Sequence, residues 1–356
     1  MERIRQLIKE IESPKHAWRQ QAQEHLDRLT KPLGSLGMLE EIAARLASIQ
    51  ETDEPHIDRK AIYVFAADHG ITDEGVSAYP REVTQQMVIN FLNGGAAINV
   101  IARKAAAKVI VVDVGVDAEF PEEPGLVREK VRRGTSNMLN TPAMTEAELE
   151  AALQVGLRLA GQAKKQGFDL IGVGEMGIGN TTSASAITAA LTGKAPADVT
   201  GCGAGLSRPA VRHKIEIVEA VLQKHNLLPP AVPDPLRILR CVGGLEIAAM
   251  TGMVLGAAKE HIACVIDGFI STSAAALAFT LQPKVRDYLF AGHQSEEPGH
   301  QVLLEKIGLI PLLNLNLRLG EGTGAVLAFH LLETAVKIYN EMATFASAKV
   351  SEAAAV

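Results

Sequence analysis

Two glutamates stand where a polypeptide ordinarily binds anions. Glu175 lies in "IGVGEMGIGNTTSASAIT" and Glu321 in "LNLRLGEGTGAVLAF", each on a glycine turn between a β-like run and a helix-like run. Unpaired N–H groups and the helix dipole at such a turn favour negative ligands. A carboxylate beside a phosphate is repelled, so each glutamate is expected to face an uncharged or cationic part of a ligand. Near Leu317, Leu319 and Met176, loss of water raises a carboxylate's pKa and makes it a competent general base, a role worth roughly 10²- to 10⁴-fold in rate. For Glu321 a second role stays open, because an acid is also welcome in the first turn of the helix that follows.

The loops around these acids carry further chemistry. Gly172, Gly174 and Gly177 satisfy G-x-G-x-x-G between a strand and a helix, the setting of a dinucleotide fingerprint. Glu175 and Met176 occupy the approach to the phosphates, and no strand-ending acid follows about 20 residues later, which argues against a nicotinamide or flavin cofactor. "GNTTSAS" suits one terminal phosphate better. Asn180, Thr181, Thr182 and Ser183 offer donors at a helix N-terminus, although an ordinary turn and cap would use the same residues. In "TGCGAGLSRPAVRHKIEIV", Gly201, Gly203 and Gly205 precede Arg208, Arg212, His213 and Lys214, one of which helical spacing would bring to a phosphate while others stay on a solvated face. "VIDGFISTSAA" has a single Asp267 before Gly268, an incomplete version of the acid loop that holds phosphoribosyl pyrophosphate. "AADHGI" sets Asp68 and His69 at a strand end. "GHQSEEPGH" gathers His293, Ser295, Glu296, Glu297 and His300 in what reads as an irregular loop; no H-x-x-x-H or G-x-S-x-G element accompanies them, leaving substrate contact or loop structure ahead of hydrolase or metal chemistry.

These residues need a frame. "AIYVFAAD", "KVIVVDVGVD", "FDLIGVG" and "IACVIDG" are fully apolar strand-like runs separated by alanine-rich helical segments, the pattern of a parallel sheet covered on both faces. The fold expected is α/β: three layers, Rossmann-like, with a mostly parallel sheet and ligands beyond the carboxyl ends of its strands. Thr145 and Glu148 form a capping box for a helix that Gly167 stops. Residues 1–50 read as helical around the turn "TKPLGSLG", and one long helix follows Thr323 before an alanine-rich end that frays. Residues 1–55 plus 325–356 are expected to form a small helical domain, and 56–324 the large α/β domain.

Composition excludes several classes. The 356 residues are 47% hydrophobic with a net charge of −6 and interspersed signs, which predicts a buried core and no nucleic-acid surface. Cys202, Cys241 and Cys264 are odd in number and lack paired metal-ligand spacing, so a reducing cytoplasm is expected. "MERIRQLIKEIE" lacks an apolar signal core, and no run approaches the roughly 20 apolar residues of a membrane span. A soluble protein is expected.

Taken in order, "RLTKPLGSLGMLE", "AADHGITDEGVSAYPREVTQQM", "GVGEMGIGNTTSAS", "VGGLEIAAMTG", "VIDGFISTSAAAL", "GHQSEEPGH" and "NLRLGEGTGA" resemble the nicotinate-nucleotide:dimethylbenzimidazole phosphoribosyltransferases of cobalamin biosynthesis, over nearly the whole chain. The resemblance implies transfer of phosphoribose from nicotinate mononucleotide to 5,6-dimethylbenzimidazole with inversion, giving α-ribazole 5′-phosphate and nicotinate. It also implies a homodimer without metal or other cofactor. It makes Glu321 the base and Glu175 the second acid. Gly177, Gly179, Asn180, Thr181, Thr182 and Lys214 would bind the phosphate. Tyr79, Pro80, Met87, Met176 and Leu319 would line a flat slot for the base, and Gly203, Asp267, Ser295 and Gly320 would complete the substrate contacts. Gly-Cys-Gly-Ala-Gly at 201–205 departs from the Gly-Arg-Gly-Thr-Gly of some members, and positions 79 and 87 vary, which leaves the preferred base open.

Overall fold

A computed structural model describes residues 1–120, 123–229 and 234–351. Seven strands form one sheet in the order β3-β2-β1-β4-β5-β6-β7: β1 (Lys60–Ala67), β2 (Lys108–Gly115), β3 (Leu126–Arg128), β4 (Leu170–Met176), β5 (Ala263–Ile266), β6 (Leu289–Ser295) and β7 (Pro311–Leu317). Every adjacent pair is parallel, so the sheet is fully rather than mostly parallel. The apolar runs explain this: β1 is buried along its whole length, which requires helices on both faces.

On one face the helix Leu245–Lys259 is buried on nearly all sides and lies against the helix Glu146–Lys165. Gly156 permits the approach, since a Cβ there would fall 2.8 Å from the carbonyl carbon of Gly252. The Thr145–Glu148 box forms as read, with the Glu148 N–H donating to Thr145 Oγ1 at 3.2 Å and the Thr145 N–H to Glu148 Oε2 at 2.8 Å. Gly167, at φ 70°, closes that helix.

The N-terminal stretch folds into helices Glu2–Lys9, His16–Asp27 and Met38–Gln50, and the last of these packs on the helix Thr323–Glu341. His25 Nε2 meets the Tyr339 carbonyl at 2.9 Å, and Leu29 bridges Thr344. Residues 352–356 of the alanine-rich end lie outside the described residues. Among the described residues, no helix is long and apolar enough to cross a membrane.

One expectation is overturned. "GHQSEEPGH" is not an irregular loop: Gly292 to Ser295 finish β6, and Pro298 to His300 open the helix Pro298–Ile307. Leu289, Phe290 and Ala291 pair with β5 in the core, and the strand carries the polar residues on behind them. Pro298 then starts the helix, where its missing N–H costs nothing.

The chain places β2 and β3 on one side of β1 and β4 on the other, so the sheet order reverses between β1 and β4. In open parallel sheets, the crevice at the carboxyl ends beside such a reversal is where ligands sit. Asp68 follows β1, Glu175 ends β4, Asp267 follows β5, Ser295 ends β6 and Glu321 follows β7. All are delivered to one edge.

Candidate active site

The turn that carries Glu321 is left-handed at three successive residues, with φ 90° at Gly320, 63° at Glu321 and 89° at Gly322. Only the middle one has a side chain, and strain of this kind persists where the surroundings over-determine the backbone. Asp267 supplies the constraint. Its Oδ2 accepts from the Gly322 N–H at 3.0 Å, and its Oδ1 from the N–H groups of Gly324 at 2.7 Å and Ala325 at 3.2 Å. It therefore caps the helix Thr323–Glu341 from another strand. Glu321 is thereby free of that role: its Oε2 instead accepts from the Ile98 N–H at 3.2 Å. With 6% of its surface exposed, Glu321 has a pKa raised by burial, which the Ile98 N–H partly offsets and the neighbouring Asp267 reinforces.

Replacing Asp267 with Asn turns one of these acceptors into a donor facing N–H groups. The expected result is a loss of about 1–3 kcal/mol in urea unfolding, together with reduced turnover. Unchanged stability would show that the clamp is dispensable.

Glu175 faces the same turn from the end of β4, 7% exposed, with its Oε2 accepting from Asn180 Nδ2. Burial first, and then the charges of Glu246 and Asp267, push its pKa up to about 8, against the opposing Asn180 hydrogen bond. At neutral pH Glu175 is thus a neutral carboxylic acid. Because the native state holds this proton while the unfolded chain releases it near 4.5, the group's contribution to stability is lost as pH climbs from about 4.5 to about 8. Glu175→Gln is expected to melt above the parent protein by a margin that widens across that window; a margin independent of pH would contradict the assignment.

On the other side of the loop, Gly179 at φ 98° turns the chain into the helix Asn180–Thr192. Lys214 comes up beneath it from the helix Arg208–Lys224, fully buried, and donates from Nζ to Thr181 Oγ1 at 2.7 Å. Burial lowers its pKa to about 8, with Glu297 opposing. Arg208 and Arg212 lie on an exposed face, and His213 Nε2 meets the Glu74 carbonyl at 2.7 Å. Of that basic cluster, Lys214 is the cation at the loop.

A cavity of about 640 Å³ joins these parts. Of the residues anticipated from sequence, Tyr79, Met87, Met176 and Leu319 form apolar wall, while Glu175, Gly320 and Glu321 lie along the same surface. Gly177, Asn180, Thr181, Gly203 and Ser295 line it as well. A narrow recess holds Gly179 and Lys214 and shares Gly177, Asn180 and Thr181 with the cavity.

Three anticipated residues are placed elsewhere. Pro80 lines a neighbouring acidic cavity of about 460 Å³ with Asp68, Asp73 and Asp117, and Tyr79 stands between the two spaces. Thr182, one residue past Thr181 on the helix, is turned fully into the core. Asp267 is engaged by the loop backbone, outside the cavity lining.

Sequence reasoning missed Arg318, whose Nη1 donates to the Gly203 carbonyl at 3.1 Å and ties the β7 exit to the 201–205 loop. It also passed over Phe269, Ile270 and Val83 in the wall, and left Glu297 without a role. Phe269 and Ile270 follow directly on Asp267-Gly268, so their place after a strand end was a usable signal; Arg318 carries none. Two of the histidines, His69 and His300, are held structurally, whereas His293 lines the cavity. His69 lies beneath the loop, between Glu246 Oε1 at 2.5 Å and Ser183 Oγ at 3.1 Å. Both nitrogens of His300 are spent, on the Ser295 N–H at 2.8 Å and Thr272 Oγ1 at 3.0 Å, and burial lowers its pKa to about 3.

A doubly covered parallel sheet, with a helix-N-terminal recess holding a buried lysine beside an apolar slot and two carboxylates, is an arrangement suited to phosphoribosyl transfer. The family profile described as phosphoribosyltransferase matches residues 11–350. A Geobacter sulfurreducens protein named nicotinate-nucleotide--dimethylbenzimidazole phosphoribosyltransferase is 54% identical over 332 residues, 93% of this chain and 94% of that one. A protein of the same name from Geobacter sp. strain M21 is 51% identical, over 99% of this chain and 100% of its own. The crystal structure of the Thermus thermophilus enzyme superposes with a TM-score of 0.89 at 49% identity, covering 95% of this chain and 99% of that one. The chain belongs to the nicotinate-nucleotide:dimethylbenzimidazole phosphoribosyltransferase family and is a transferase.

Proposed function

We propose that this enzyme transfers the phosphoribosyl group of nicotinate mononucleotide to 5,6-dimethylbenzimidazole or a related base in a single displacement. The observation that carries this reading is that Glu321 opens into the same cavity as the recess of Lys214 and Thr181. The 5′-phosphate sits in that recess, on the helix N-terminus and Lys214. The acceptor lies flat between Tyr79, Met87, Met176 and Leu319.

One benzimidazole nitrogen attacks C1′ of the ribose from the face opposite nicotinate. The C1′–pyridinium bond breaks as the C1′–benzimidazole bond forms, and its electron pair neutralises the ring of the departing nicotinate, so no acid is needed at the leaving group. Glu321 takes the N–H proton of the incoming base. The configuration at C1′ inverts, giving α-ribazole 5′-phosphate. A neutral Glu175 cannot stabilise a cationic sugar by charge; it orients a heterocycle by hydrogen bonding.

The same reading makes residues 1–55 with 325–356 a helical unit beside the catalytic unit 56–324, supported by the packing of Met38–Gln50 on Thr323–Glu341. It also takes the chain to be a cytoplasmic homodimer.

Chromatography of a mixture of nicotinate mononucleotide and dimethylbenzimidazole tests the reaction. Nicotinate and a new nucleotide should appear together, in equal amounts, and only with both substrates present. Calorimetric binding of the mononucleotide with neither product formed would reduce the protein to a nucleotide binder. Heat with NAD or NADP and none with the mononucleotide would favour an oxidoreductase.

A further inference from the structure

β6 delivers His293 to the cavity wall with its two nitrogens in different surroundings. The ring is buried against the first turn of the helix Thr323–Glu341, where a Cβ on Gly324 would overlap Nδ1. Nδ1 is sealed and has no hydrogen-bond partner. Asp267 Oδ1 lies 3.5 Å from it, too far for a full hydrogen bond but near enough to favour a proton on that nitrogen. Nε2 is left as the ring's acceptor. It makes no hydrogen bond among the described residues and, unlike Nδ1, keeps access to the cavity. The wall is open at this spot because Gly268 has no side chain: a Cβ there would stand 3.6 Å from Nε2 and 3.7 Å from the Cβ of Ser295. Gly268 and Ser295 line the cavity as well, and Ser295 Oγ accepts from the Glu297 N–H at 3.4 Å while donating to nothing among the described residues. An acceptor nitrogen and a spare hydroxyl therefore flank one glycine. The group that answers such a pair carries two adjacent hydroxyls. In the reaction proposed above the phosphate goes to Lys214 and the acceptor N–H to Glu321, which leaves the ribose diol.

Resting on that reading, we infer that His293 is a specificity residue for the sugar, its Nε2 accepting from one ribose hydroxyl while Ser295 Oγ meets the neighbouring one. The site then selects ribonucleotide over deoxyribonucleotide donors. A site built to bond a substrate hydroxyl rejects the analogue lacking it, because the buried partner is left unpaired. Asp267 serves both halves of the site: it clamps the turn that carries Glu321 and stands behind the ring that reads the sugar.

The test compares nicotinate mononucleotide with its 2′-deoxy and 3′-deoxy analogues on the intact enzyme, on His293→Asn and on His293→Gln. Asparagine sets a polar atom near the place of Nδ1 and nothing at Nε2, whereas the longer glutamine carries an acceptor oxygen to the place of Nε2. In the parent enzyme, kcat/KM should fall about 10- to 100-fold for at least one deoxy analogue. His293→Asn should lose a similar factor on the ribonucleotide and little further on that analogue. His293→Gln should keep the larger share of the activity and still discriminate against the analogue. Equal losses by His293→Asn on all three donors would make the ring a purely structural packing element and overturn the inference. Full activity in the asparagine variant with loss in the glutamine variant would place its role at Asp267 instead, and overturn it as well. Indifference of the parent enzyme to both deoxy analogues would overturn it even if neither variant folds. Absence of any transfer from the ribonucleotide by the parent enzyme would strike the reaction itself, and this inference with it.

Discussion

Glu321→Gln should cut single-turnover transfer by roughly 10²- to 10⁴-fold while leaving the affinity for nicotinate mononucleotide within about twofold. Glutamine fills the same space, and its carbonyl can still accept from the Ile98 N–H, so the left-handed turn and the Asp267 clamp should survive. What is lost is the ability to hold a proton. The desolvation that raises the Glu321 pKa is what gives this carboxylate an affinity for that proton which a solvated glutamate lacks. Circular dichroism and calorimetry of the variant separate a chemical defect from a folding defect. Near-normal turnover by a folded Glu321→Gln would remove this residue from the chemistry.

Lys214→Met should act at the other end of the substrate. The ammonium is fully buried and donates to Thr181 Oγ1, so a phosphate in the recess meets a charge already stripped of water. Truncating one member of such a charged contact costs about 2–5 kcal/mol, or about 30- to several-thousand-fold in kcat/KM for the nucleotide. Nicotinate riboside, which lacks the phosphate, should be used equally well or poorly by both proteins. Burial disfavours the charged lysine, whose pKa is lowered to about 8, so the methionine variant should unfold no earlier than its parent. An equal loss on nucleotide and riboside would place the phosphate elsewhere.

The sheet was legible wherever burial on both faces wrote itself into an uninterrupted apolar run. β1, β2, β4 and β5 are such runs, and β4 and β5 lead directly to Glu175 and Asp267. β6 hid because its second half, Gly292 to Ser295, is polar and glycine-containing although mostly buried; the residues that make it functional erase the strand signal. β3 has three residues, too few for a period to show.

The glycine loops were legible because their chemistry is local: Gly177 to Thr181 and Gly320 to Gly322 are contiguous. Asp267 was noticed for its chemistry, but nothing in "VIDGFIS" says that its carboxylate will reach the backbone of residues 322–325. Arg318 and Gly203 are 115 residues apart, and their contact exists only once β7 is laid beside β6. Thr182 shows the limit of motif reading in the other direction. It belongs to the stretch Asn180 to Ser183, yet helical geometry turns Thr181 to the cavity and Thr182 to the core.

The central claim is geometric and is met most directly by a crystal structure of the enzyme with α-ribazole 5′-phosphate bound. A Glu321 carboxylate oxygen should lie about 2.6–3.2 Å from the benzimidazole nitrogen not bonded to the ribose, with the phosphate oxygens on Lys214 and the N–H groups that open the helix Asn180–Thr192. A benzimidazole turned so that this nitrogen faces away from Glu321, or a phosphate bound outside the recess, would contradict it.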